Sequence, residues 1–283
     1  MPYTFSSDHK DIKPLQDDLA MNKSWQIPSA EIFELGPRRT PYAVCIPVIN
    51  EGERLRNQLA EMREKQITDQ ADILILDGGS TDGSVDPDYL KVQGVRTLLV
   101  KTGPGRLSAQ LRMGFAYALT QGYQGVITID GNQKDGLEAI PDFIRELTAG
   151  YDFVQGSRYM PGGQAINTPW VRHLAIKWIH APLISLAAGF RYTDTTNAYR
   201  GHSRFLLLNP EVQPFRDVFI GYELLFYLSV RAPLTGHRVK EIPVVRRYPG
   251  QGQIPTKISH IKGNWNLLLM LMKVLLGKFN PQE

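Results

Sequence analysis

The chain holds one cysteine in 283 residues, so no intramolecular disulfide can form and a reducing compartment is expected. That residue, Cys45, lies in the apolar run YAVCIPVI and reads as core, not as a nucleophile. The first 20 residues carry Asp8, Asp11, Asp17 and Asp18 and no apolar stretch, which argues against a secretory signal or an Arg-rich transit peptide and for a cytoplasmic location. A Gly-x-x-x-x-Gly-Lys-Ser loop is missing, which removes the phosphate-loop NTPases. The six histidines are scattered as His9, His173, His180, His202, His237 and His260, giving neither zinc spacing nor a triad around a nucleophile elbow. Repeats and low-complexity tracts are absent. An excess of charge is absent too: a net +4 gives no argument for nucleic acid.

What is present is ordinary globular composition, with 42% hydrophobic and 21% charged residues. A chain of this length buries roughly three quarters of its unfolded surface, as one large domain or two closely fused halves. Residues 1–40 are polar and mixed and close on GPRRTP, the signature of an extension and linker. Four strand-like runs follow, YAVCIPVIN, ADILILD, VRTLLVK and GVITID. Between them lie an amphipathic helix with Leu55, Leu59 and Met62 at helical spacing, the turn GGSTDGS, and the helix AQLRMGFAYALTQG. This order predicts repeated crossover units, hence an α/β fold with a mixed, mostly parallel, Rossmann-like sheet flanked by helices. The ligand site of such a sheet lies beyond the strand carboxyl ends. Asp77, Asp130 and the stretch from Pro47 through Asn50 to Glu51 all fall there, which favours a site over a set of polar turns.

After residue 136 the pattern loosens into a helix at LEAIPDFIRELTAG, a strand at DFVQGSR, a Pro- and Gly-broken loop and a helix over 170–188, with further strands expected around GYELLFYLSVRA and HRVKEIPVV. Two segments suit a lipid surface. In the 170–188 helix Val171, Leu174, Ala175 and Trp178 share one face, with Arg172, His173, Lys177 and His180 near the other. The apolar tail NWNLLLMLMKVLLGKF falls short of the ~20 residues that a spanning helix needs and fits an interfacial anchor better. Core packing or a homodimer face would use the same patterns. The basic segment RRYPGQGQIPTKISHIK, with no acid, suits phosphates or anionic headgroups.

Oxygen-bearing side chains at a strand end point to a hard cation. Asp130 and Asn132 would hold Mg²⁺ or Mn²⁺ while the ion bridges diphosphate oxygens. The turn TGPGRLS nearly matches a dinucleotide fingerprint, but it follows the third strand and ends in Ser108, so its other use is preferred: placing Gly105, Arg106 and a helix amino end near a diphosphate.

Together these residues resemble the family 2 inverting glycosyltransferases of GT-A fold, and within them the polyprenyl-phosphate (dolichyl-phosphate) mannosyl- and glucosyltransferases. The resemblance runs from about residue 42 to 262, through IPVINEGERL, ILDGGSTDGS, GPGRLSAQLRMGFAYA, TIDGNQKDGLEAIP, QGSRY, DTTNAYRGHSR and EIPVVRRYPGQGQIPTKIS in that order. It implies Pro47, Asn50 and Glu51 at the nucleoside, Asp77 at base or ribose, and Asp130 with Asn132 at the metal. Arg158 would lie near donor phosphate or acceptor, Asp194, Asn197 and Arg200 in the acceptor half, and Arg247 with Lys257 on the diphosphate. Gly78 and Asn132 depart from the family pattern, each standing where a second aspartate is usual.

The implied organisation is a nucleotide-sugar-binding half at 41–135, an acceptor-binding half at 136–262 and an apolar C-terminal helix at 263–283. The implied reaction moves a sugar from a nucleoside diphosphate sugar to a lipid-linked acceptor, on the cytoplasmic face of a membrane. A saccharide hydroxyl acceptor would need a base, for which Glu223 is the candidate. A silent nucleotide-sugar-binding protein, a sugar nucleotidyltransferase and a dehydrogenase stay as alternatives.

Overall fold

The carboxyl ends of four parallel strands set the geometry of the first of two compact units, Met1–Gln133 with Phe215–Gly221; the second is Lys134–Pro214 with Tyr222–Glu283. The computed structural model describes residues 12–14, 24–250 and 262–281. In the first unit the strands are β1 (Ile12–Pro14), β2 (Ala30–Glu34), β3 (Tyr42–Val48), β4 (Asp72–Asp77), β5 (Val95–Lys101) and β6 (Gly125–Thr128), in the order β1-β2-β5-β4-β3-β6. β3 pairs in parallel with β4 and β6, and β4 with β5, while β2 runs antiparallel along β5. Every residue of β4 is buried, as expected of a strand with helices on both faces. The helices are α1 (Glu53–Glu64), α2 (Pro87–Val92) and α3 (Leu107–Thr120). On α1 the buried stripe is Leu55, Gln58, Leu59 and Met62, so the expected spacing holds and a glutamine joins it. Asp86 caps α2 by accepting from the Tyr89 N–H at 2.9 Å, with Pro87 at the first turn.

The second unit contains β7 (Phe153–Ser157), β8 (Gln164–Ile166), β9 (Arg200–Ser203), β10 (Val239–Pro243) and β11 (Val245–Arg247). β7 pairs in parallel with β10 and antiparallel with β9; β8 and β11 form a separate parallel pair. Its helices are α4 (Ile140–Thr148), α5 (Trp170–Ala175), α6 (Ala181–Ala188), α7 (Arg204–Leu208), α8 (Glu223–Leu234) and α9 (Lys262–Leu275). A π turn at Ile176–His180 joins α5 to α6. Pro182 follows within the first turn of α6, and its ring and missing N–H disturb the ladder one turn earlier, where the wider turn absorbs the mismatch.

The architecture is the expected α/β one, with local differences. Residues 30–34, read as linker, form β2, because Ala30, Ile32 and Phe33 are buried against the sheet. The stretch 223–234 is α8; its residues Leu224 to Val230 are all buried, which erases the periodicity that separates helix from strand. Among the described residues no helix is long and apolar enough to cross a membrane. The apolar tail instead packs α9 on α8 and α6, burying Leu271 and Val274 and leaving Leu269, Met272 and Leu276 exposed.

Candidate active site

In the first unit the register places Val48 beside Asp77 on one side of β3 and Cys45 beside Thr128 on the other. Pro47, Asn50, Glu51, Asp77 and Asp130 therefore collect at one rim, where the strand order reverses around β3. Two loops there are laced together. The Asp77 carboxylate accepts from the Gly79 N–H at 3.0 Å, the Ser80 N–H at 3.0 Å and the Ser80 hydroxyl at 2.5 Å. Ser80 Oγ in turn accepts from the Asn50 N–H at 2.9 Å, Asn50 Oδ1 from the Thr81 N–H at 2.7 Å, and Asp82 Oδ2 from the Gly52 N–H at 2.8 Å. Burial pushes the Asp77 carboxyl up, against these hydrogen bonds. Glu51 accepts from Arg54 at 2.9 Å. Asp77 thus organises the rim with both carboxylate oxygens.

The glycine turn lies beside α3. Gly105 has φ +103°, and a Cβ there would meet Ala109 Cβ at 2.5 Å. The Arg106 N–H donates to the Ile220 carbonyl at 2.9 Å and the Ser108 N–H to the Gly221 carbonyl at 2.7 Å. Two donors of the helix amino end are already engaged, so the exposed Arg106 side chain is what this turn offers a phosphate.

Asp130 and Asn132 stand just beyond β6. A Cβ on the intervening Gly131 would lie 2.6 Å from Val48 Cγ1 and 3.1 Å from Ile46 Cγ2. The glycine lets the loop lie flat on β3, which is why a buried strand runs into charge at this point. Gln133, in the left-handed region at φ +57°, is held by Gln58 Oε1, which accepts its N–H at 2.9 Å. Asn132 Nδ2 donates to Asp130 Oδ2 at 3.3 Å, while Asn132 Oδ1 is buried with no hydrogen-bond partner. An orphaned amide oxygen beside a carboxylate fits one face of a hard cation. Among the described residues no cluster of three or more His, Cys, Asp or Glu side chains is placed to hold a metal, so any such ion would draw its other ligands from water or a bound anion. Gly131→Ala should lift the loop from β3, costing about 1–3 kcal/mol of stability as overpacking does. Mn²⁺ titration by calorimetry should show a weaker ion as well.

In the second unit cationic side chains surround Tyr248. Lys134 Nζ lies 5.1 Å from its ring centroid, Arg172 Cζ 5.6 Å and Arg246 Cζ 5.7 Å, and Arg172 Nη1 donates to its hydroxyl at 2.6 Å. Burial alone would raise this phenol; Arg246, Arg172 and Arg158 outweigh it and bring the phenol below its ordinary value. Arg246 pairs with Asp135. Arg158, 3% exposed, is clamped by Asp194, whose oxygens accept from Nε at 2.6 Å and Nη2 at 2.9 Å. Its guanidinium also lies over the Tyr159 ring at 5.3 Å, and the Tyr159 hydroxyl is buried without a partner.

The expected residues of this unit are placed as follows. Asp194 is the counter-ion of Arg158; Arg200, fully buried, donates to the carbonyls of Asn197, Thr195 and Leu225, and burial lowers it to about 10. Arg247 is exposed on β11, whereas its neighbour Arg246 faces inward, the alternation of any strand. Glu223 is the first residue of α8 and half-buried. Lys257, with most of the basic segment, lies outside the described residues. Sequence reasoning missed Lys134, Arg172, Arg246 and Tyr248 as a group; strand alternation over Val245–Arg247 signals only that Arg246 and Arg247 face opposite ways.

Comparison with known proteins follows the same lines. The chain is 30% identical over 210 residues to polyprenol monophosphomannose synthase of Mycolicibacterium smegmatis, covering 71% of this chain and 75% of that one. It is 27% identical over 214 residues to undecaprenyl-phosphate mannosyltransferase of Micrococcus luteus, covering 74% and 85%. Mannosyl-3-phosphoglycerate synthase from Rubrobacter xylanophilus superposes with a TM-score of 0.58 at 13% identity, over 84% of this chain and 73% of that one. Glucosyl-3-phosphoglycerate synthase from Mycobacterium tuberculosis, in complex with Mn²⁺, UDP and glucosyl-3-phosphoglycerate, gives 0.53 at 16% identity, over 84% and 78%. At such identities the two structures speak for the fold, which is GT-A. The model of the family described as "Glycosyl transferase family 2" matches residues 43–209, more than half of the chain, and the protein is a member of that family.

Proposed function

We propose that the protein transfers a hexose from a nucleoside diphosphate sugar to the phosphate of a polyprenyl carrier, with inversion at the anomeric carbon. The observation that carries this reading is the gathering of cations around Tyr248: Lys134, Arg172 and Arg246 lie near its ring, and Arg158 also acts on its phenol. A phosphate monoester matches such a group through charge-assisted hydrogen bonds and attacks without a general base. Arg172 lies on α5, which also presents Trp170 and Val171, 73% and 57% exposed, with Trp178 of the following π turn 69% exposed. Apolar and Trp side chains beside a phosphate seat suit an acceptor whose tail stays in a lipid surface, and peripheral attachment to the cytoplasmic membrane face. The relatives named for polyprenol and undecaprenyl phosphate support the same acceptor class.

In the reaction a phosphate oxygen bonds to the anomeric carbon as the bond from that carbon to the diphosphate breaks. Asp130 and Asn132 would hold Mg²⁺ or Mn²⁺, which supplies charge stabilisation to the departing diphosphate. The Asn50, Asp77 and Ser80 lacing keeps the rim rigid for the nucleoside, and the Arg106 side chain, Arg247 and Lys257 are the proposed further cations for the diphosphate.

The test is transfer from UDP- and GDP-sugars to undecaprenyl phosphate in liposomes, against soluble phosphoglycerate and free saccharides. Product on the lipid is expected. Arg172→Met should raise KM for the lipid by about tenfold or more, the scale of a lost charged hydrogen bond, with donor KM unchanged. Transfer confined to saccharide hydroxyls and abolished in Glu223→Gln would replace this reading with the hydroxyl-acceptor one. Nucleotide-sugar binding without any transfer would leave a silent binding protein.

A further inference from the structure

Position 78 follows Asp77 at the end of β4 and is a glycine for a reason of space. Gly78 is absent from the residues with positive φ, so its backbone is one that other residues adopt. A Cβ there would lie 3.0 Å from Gln110 Nε2, 3.3 Å from Gln110 Cδ and 3.3 Å from the Val48 carbonyl oxygen. The volume that a side chain at 78 would enter is thus filled by the amide of Gln110, reaching from near the amino end of α3.

That amide is held in one orientation. Nε2 donates to the Val48 carbonyl at 2.9 Å and the Leu76 carbonyl at 2.8 Å, joining the carboxyl ends of β3 and β4. Both partners are acceptors, so the amide cannot be flipped and Oε1 faces away from them. Gln110 is 6% exposed, and among the described residues nothing donates to its Oε1. That oxygen is not among the buried unpartnered atoms, so it takes water in the free protein and can accept from a ligand in its place. The amide stands at the ends of β3 and β4, beside Val48, Leu76 and Gly78, at the rim where an open α/β sheet takes its ligand.

We propose that Gln110 is a specificity-determining residue for the donor, its Oε1 accepting the ring N–H of a uracil or guanine base. The proposal rests on the donor being a nucleoside diphosphate sugar, as argued above. An acceptor fixed by two backbone carbonyls cannot turn to become a donor. It therefore rejects cytosine, whose corresponding ring nitrogen is itself an acceptor, and such a mismatch leaves two buried acceptors facing each other.

The experiment compares UDP, GDP, CDP and inorganic pyrophosphate by calorimetry, each with Mn²⁺. Wild-type protein should bind UDP or GDP at least about tenfold more tightly than CDP. Gln110→Met, close in volume, should bring that ratio towards one while leaving pyrophosphate affinity unchanged. Because loss of the link between β3 and β4 would also weaken the fold, the double variant Gly78→Asp with Gln110→Ala returns an acceptor to the same space from the other side, and should restore the preference. An unaltered ratio in Gln110→Met, or a parallel loss of pyrophosphate, would overturn the role of Gln110 alone. Failure of the wild-type protein to bind any nucleotide would overturn the donor reading itself.

Discussion

Asp194→Ala should destabilise the second unit by about 3–5 kcal/mol, because it leaves the Arg158 guanidinium buried without its counter-ion. The pair is 36 residues apart in sequence and almost fully inaccessible, at 3% and 0% exposure. Its surroundings leave little room for relaxation. Glu241 Oε2 accepts from the Thr193 N–H and hydroxyl, each at 2.8 Å, and Oε1 from the Asp194 N–H at 3.0 Å, while Ser157 Oγ sits 2.5 Å from Thr193 Oγ1. A water replacing the carboxylate would have to match this preset geometry. In thermal unfolding the loss should appear as a fall of roughly 6–20 °C, given about 2–4 °C per kcal/mol for a chain of this size. Arg158→Met combined with Asp194→Leu should recover most of it, since removing both charges removes the unpaired one. The pH dependence has a definite sign. Burial raises the Asp194 carboxyl, but the Arg158 charge and hydrogen bonds outweigh it and hold the group below the ordinary carboxylate range. Its contribution is complete above the unfolded value near 3.9 and is lost as pH falls through the lower folded one, so wild type should lose more stability there than the double variant.

How much of this could be read from residues alone depends on the range of the contact involved. β3, β4, β5 and β6 lie where their apolar runs put them, because strands buried on both faces carry their signal locally, and the carboxyl ends then place Asp77 and Asp130 at one rim. Ala30–Glu34 escaped because a strand of five residues between Pro28 and the Gly36–Pro37 pair is too short to show a period of its own. The cation group was legible only in pieces: Arg158 and the pair Arg246–Arg247 stood out as basic residues, yet which of the two arginines faces inward depends on the register of β11 against β8. Arg172 carried a lipid-surface pattern that hid its second role, since one helix turns its tryptophan outward and its arginine onto Tyr248. The exchange between Gly78 and Gln110 has no local signature at all, because the two meet across the packing of α3 on β4.

The largest effect on activity is expected at Asp130. Asp130→Ala should lower kcat for transfer by on the order of 10²–10³, the scale set by losing one preorganised electrostatic group, with the fold retained because the carboxylate is half-exposed. Asn132→Asp should act in the opposite direction on the ion. At present the Asn132 amide donates to Asp130 Oδ2 at 3.3 Å and its Oδ1 is buried without a partner, so the pair carries one negative charge. A second carboxylate beside the first makes the apo rim repulsive and raises the pKa of one of the two acids. A bound Mn²⁺ relieves that repulsion, so the affinity for free metal should rise about tenfold, close to 1.4 kcal/mol. The same variant should therefore unfold at a lower temperature than wild type without metal and show a larger stabilisation on adding it, because an ion that binds the folded state alone shifts stability by mass action. Equal metal responses in wild type and Asn132→Asp, measured with no nucleotide present, would mean that the ion is held by the nucleotide alone, and the pairing of Asp130 with Asn132 as its protein ligands would have to be abandoned.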